Sequence, residues 1–105
     1  MDVMEQIRSI KLSQFQGLGA FLIGWNKLLA RVPESVQNDK TFLHTRTKLF
    51  VNQLDNVNNS LVKYILQKFH YHWRDGDSLK GEDGTPIQEG TYEFLHKEVT
   101  EFIER

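Results

Sequence analysis

The sequence predicts an all-α fold: an antiparallel helical hairpin with a shorter C-terminal helix, in a bundle of three to four helices. A short β-hairpin or turn is expected in the 75–90 loop. Three apolar rows carry this reading. Phe15, Leu18, Leu22, Trp25, Leu29 and Val32 recur at spacings of 3, 4, 3, 4, 3. Leu43, Phe50, Leu54, Val57, Leu61, Ile65 and Phe69 recur at 7, 4, 3, 4, 4, 4, and Tyr92, Leu95, Val99 and Phe102 at 3, 4, 3. Such recurrence puts every member on one stripe of an α-helix, whereas a strand would alternate.

The first row predicts a helix over about 11–32. Ile7, Ile10 and Leu12 either extend it backward or form a separate first turn. Val32-Pro33 ends it, because the residue before proline avoids helical geometry. Gly17, Ala20 and Gly24 form a narrow stripe where another backbone is expected to approach. "GLGAFLIG" is a poor match to a phosphate loop, since no strand precedes it and its glycines are in the wrong order.

The second row predicts a helix over about 40–74, with Asp39 as its N-cap. "DNVNNS" (55–60) lies in its middle, and Asn and Asp are poor helix-interior residues. The apolar register nevertheless passes from Val57 to Leu61 without a slip, so the helix is expected to continue. "NNS" also fits a glycosylation acceptor, but in mid-helix it reads as a chance match. Gly76 is expected to close the helix in the left-handed conformation.

Residues 75–90 read as a loop with glycines at 76, 81, 84 and 90, and "KGEDGT" is the candidate hairpin turn. Thr85, Pro86 and Gln88 match a capping box. Gly90 weakens that start, so the last helix is expected over about 91–104. Glu93–Lys97 and Glu101–Arg105 are i,i+4 ion pairs in the favourable order.

The chain has 105 residues, the scale of a single domain, read as one helical unit over 1–105. It has no cysteine, which excludes disulfides, thiolate nucleophiles and Cys-based zinc sites and fits a cytoplasmic protein. The start "MDVMEQIRSIKL" lacks the basic head and apolar run of a signal peptide. The apolar block "LGAFLIGW" is far shorter than the ~20 residues of a membrane span.

"FHYHWRDGD" (69–77) is where chemistry is most tempting. On a helix, His70 and His72 point to opposite sides and cannot grip one ion. The stretch instead reads as an aromatic helix end, with Arg74 favoured by the helix dipole. Tyr71, His72, Trp73 and Arg74 are the candidate partner-contact residues. "DGDSLKGEDG" shares only its first letters with a calcium loop, since Lys80 stands where glycine is required and Pro86 where the bidentate glutamate is. No metal site, cofactor or catalytic constellation is expected.

Net charge is −1, but unevenly spread. Residues 1–80 hold eleven Lys/Arg against seven Asp/Glu, and residues 81–105 two against seven. An alternative follows: Arg31, Lys40, His44, Arg46 and Lys48 could bind a small phosphate-bearing ligand, with Trp25 or Trp73 as an aromatic wall. No dense basic stripe exists, so nucleic acid is not an expected partner.

The leading functional expectation is a non-catalytic protein-interaction module of adaptor or inhibitor type, the kind of small chain that phages and mobile elements encode. It is expected to act as a homodimer, because the second predicted arm is too long for the first to cover. The anionic-ligand binder is the alternative, and a His-based metal enzyme stands behind both.

Overall fold

The computed structural model describes residues 17–58, 60–75 and 78–104. They are mostly helical, with one small two-stranded sheet. In order come α1 (Leu18–Leu29), α2 (Glu34–Gln37), α3 (Lys40–Val57), α4 (Leu61–Phe69), β1 (His72–Asp75), β2 (Ser78–Lys80) and α5 (Thr91–Glu104). The predicted extension of α1 over residues 11–16, with Ile7, Ile10 and Leu12, lies outside the described residues.

Of the first apolar row, Leu22, Trp25 and Val32 are buried and Leu18 and Leu29 partly buried, whereas Phe15 lies outside the described residues; the helix expected to run to about 32 ends at Leu29. Phe21, Leu22, Trp25 and Leu28 are buried on α1. Helical structure stops at Leu29, and Val32 is buried beyond the helix. Gly17 precedes α1 at φ 102°, a conformation that side chains resist. At one member of the expected small-residue stripe, Gly17, an added methyl would meet nothing within 4 Å, and the neighbouring Gly19 faces the Ile103 side chain.

Asp39 caps α3 as expected, its carboxylate accepting from the N–H groups of Thr41 at 2.7 Å and Phe42 at 3.3 Å. The predicted continuous helix over 40–74 is wrong in two places. First, it breaks after Val57. Asn58 is extended at φ −149°, and its side-chain oxygen accepts from the Ser60 N–H at 3.2 Å. An asparagine that offers its own acceptor competes with the helical ladder. Leu54 and Leu61 are buried on either side, so the break preserves the apolar face that suggested continuity.

Second, α4 ends at Phe69, not near 74, and the closing residue is His70, not Gly76. His70 is left-handed at φ 58°. Its N–H donates to Gln67 O at 3.2 Å, and the Tyr71 N–H reaches back to Leu66 O at 2.9 Å. That bond pair is a Schellman ending with a histidine where glycine is usual. The chain then becomes extended, and His72–Asp75 form a strand.

β1 and β2 pair antiparallel, His72 with Lys80 and Trp73 with Leu79, with an irregularity before Asp75. A reversal at "KGEDGT" is also present: Gly81 N–H donates to Thr85 O at 2.9 Å, Gly84 takes φ 82°, and Lys80 bridges Pro86. The hairpin strands themselves lie earlier than the sequence suggested. Leu79 is nearly fully buried, so the ribbon is pinned to the helices by an apolar side chain. Its N–H donates to Thr91 Oγ1 at 3.1 Å and its carbonyl accepts from Ile87 at 3.3 Å. The capping box at Thr85 does not form. α5 starts at Thr91, with Gly90 O accepting from Phe94 N–H.

One buried cluster joins α1, α3, α4, α5 and β2. At its centre lie Trp25, Phe21, Phe50, Phe94, Leu54, Leu79, Leu95 and Val99, all essentially sealed from water. Phe50 of α3 touches Phe21 and Trp25 of α1 and Tyr92 and His96 of α5, with ring centroids 5.2–5.9 Å apart. Phe69 and Tyr71 pack on Phe94, which ties the end of α4 to α5. No helix of the described residues is long and apolar enough to cross a membrane.

Candidate functional site

The turn at His70 creates a surface groove. Because the chain reverses there, Tyr71, His72 and Trp73 fold back beside the last turns of α4. Together with Lys63, Leu66, Gln67, His70 and Glu82 they line a groove of about 740 Å³. Leu66 is buried and Tyr71 half-buried, whereas Trp73 is 36% exposed. The Tyr71 ring packs on Phe69 at 5.7 Å and Phe94 at 5.2 Å. His70 Nδ1 lies 3.3 Å from a Glu82 carboxylate oxygen across the mouth, in a fully wet setting where such a pair contributes little.

Three of the four predicted contact residues, Tyr71, His72 and Trp73, thus line one groove. Arg74 is exposed on the strand beyond it. Sequence reasoning missed Lys63, Leu66, Gln67 and Glu82, because a helix continuing to 74 would have carried the aromatics away from α4. The left-handed His70 carries no sequence mark that would have announced it.

The basic set behaves differently. Lys40, His44 and Arg46 do border one depression, of about 450 Å³, together with Thr91, Tyr92 and Glu93. Arg31 and Lys48 do not line it. Arg46 is already engaged: its guanidinium lies 3.8 Å from the Tyr92 ring centroid and its Nη2 3.2 Å from Glu93 Oε1. A carboxylate thus shares the guanidinium, whose buried Nε has no hydrogen-bond partner among the described residues. Glu93 does not pair with Lys97 as predicted, and Lys97 instead lies 3.6 Å from Glu89. Arg105, the predicted partner of Glu101, lies outside the described residues. Trp25 cannot be an aromatic wall either. It is sealed from water, and its Nε1–H donates to Tyr92 Oη at 2.8 Å. No group of three or more His, Cys, Asp or Glu among the described residues could hold a metal ion.

His96 is half-buried between the Phe50 and Tyr92 rings, 2.8 Å from Asn26 Oδ1. Burial lowers its pKa, and the Arg46 cation lowers it further. On acidification the unfolded chain therefore takes up this proton before the native one does. Stability is complete above the unfolded value, about pH 6.5, and falls as pH drops through it toward the lower native value. Urea midpoints should decrease between about pH 7.5 and pH 5. His96→Gln should flatten that slope, the other three histidines being common to both chains. Equal slopes would remove His96 from the account.

The fold and groove together define a small helical protein with an appended two-stranded ribbon. Comparison with protein-family models, with curated proteins and with solved structures finds no match.

Proposed function

We propose that this protein is a non-catalytic interaction module, a small helical bundle that captures an extended segment of another protein in the groove between α4 and the ribbon. One observation carries the reading: Trp73 stands partly exposed beside a half-buried Tyr71, over the apolar floor of Leu66. Tryptophan and tyrosine held in an apolar recess are the residue types that dominate binding energy. A groove of about 740 Å³ lies within the range of ligand-sized recesses.

Local backbone structure favours an extended occupant. Among the described residues β1 pairs with β2 alone, so a second strand can add along β1 by main-chain hydrogen bonds. The rim favours acidic character in the occupant. Lys63 and His72 border the groove, and its single carboxylate, Glu82, faces His70. The expected ligand is a strand-forming stretch with an apolar side chain for the Leu66 floor and an acidic neighbour for Lys63. The cysteine-free composition suits the reducing cytoplasm.

The test is a displayed library of extended peptides selected on the full chain. Binders should be enriched in apolar–acidic pairs, and they should shift tryptophan emission to shorter wavelength. Trp73 is the only tryptophan in contact with solvent, Trp25 being sealed. Trp73→Ala should weaken binding at least about tenfold, or ~1.4 kcal/mol, with unchanged circular dichroism. Lys48→Ala, outside the groove, should leave it intact. A library that yields no binder, or binders indifferent to Trp73→Ala and Tyr71→Ala, would remove the proposal.

A further inference from the structure

We draw no further inference here: the strongest candidate, the depression that Lys40, His44, Arg46, Ser78 and Thr91 border at the start of α5, carries nothing, because Glu93 pairs with Arg46, the unpartnered Arg46 Nε is buried away from solvent, and no second observation points to a ligand there.

Discussion

Phe50→Ala is expected to cost about 3–5 kcal/mol, the range for deleting a buried phenyl ring. Domains of this size have about 5–15 kcal/mol in total, so the variant should be largely unfolded or close to it. The size of the effect follows from where the ring sits. Phe50 is sealed from water and is the shared neighbour of Phe21, Trp25, Tyr92 and His96. Those four groups come from α1 and α5, so α3 holds both helices through this residue. Aromatic rings cannot flow into the void as aliphatic chains do, and Trp25 and Tyr92 are further fixed by their mutual hydrogen bond. Urea unfolding followed by circular dichroism gives the number. Phe50→Leu, which keeps most of the volume, should lose distinctly less. A loss below about 1 kcal/mol for Phe50→Ala would mean that the three helices are held elsewhere.

The same residue shows what the sequence discloses. Phe50, Leu54, Leu61 and Ile65 share a row whose spacing is that of a helix, and all four are buried. Hydrophobic recurrence reports which side faces the core, and it did so for α1, α3, α4 and α5, except that Phe102 at the end of the α5 row is 40% exposed. It cannot report whether the backbone runs unbroken between two turns of that row. At Asn58 the two halves of the row are offset by a turn that restores the register, so continuity of pattern concealed a break in the chain. The composition of "DNVNNS" held the contrary signal, in residues whose side chains compete for backbone donors.

The groove was half legible for a related reason. Its aromatic wall, Tyr71 to Trp73, stands out as a cluster in the sequence. Its other wall, on α4, depends on a reversal at His70. The left-handed His70 is followed by Tyr71, whose ring packs on Phe94, a contact between residues far apart in sequence. The basic cluster was legible in part. Helical spacing placed Lys40, His44 and Arg46 near one another, which the fold bears out. Only tertiary packing brings Glu93 and the Tyr92 ring onto Arg46, and with them the charge that neutralises it.

Tyr92→Phe is the sharper of the two core experiments, because it removes a single oxygen. The ring stays, so its contact with Phe50 and the Arg46 guanidinium above it stay as well. What disappears is the acceptor for Trp25 Nε1–H, in a place that water does not reach. A buried donor left without a partner costs about 1–3 kcal/mol, more than the net gain of an ordinary hydrogen bond. Burial is also the leading reason that the Tyr92 hydroxyl holds its proton more tightly than a free phenol, with the Trp25 hydrogen bond acting against it. Trp25→Phe makes the complementary orphan, the Tyr92 hydroxyl, and adds a void where the indole was. If the hydrogen bond is what couples these residues, the double variant should cost less than the two single costs together, by about 1 kcal/mol or more, since neither orphan then exists. Strict additivity in urea unfolding would instead assign both losses to packing. In that case the tie between α1 and α5 would rest on ring contacts alone.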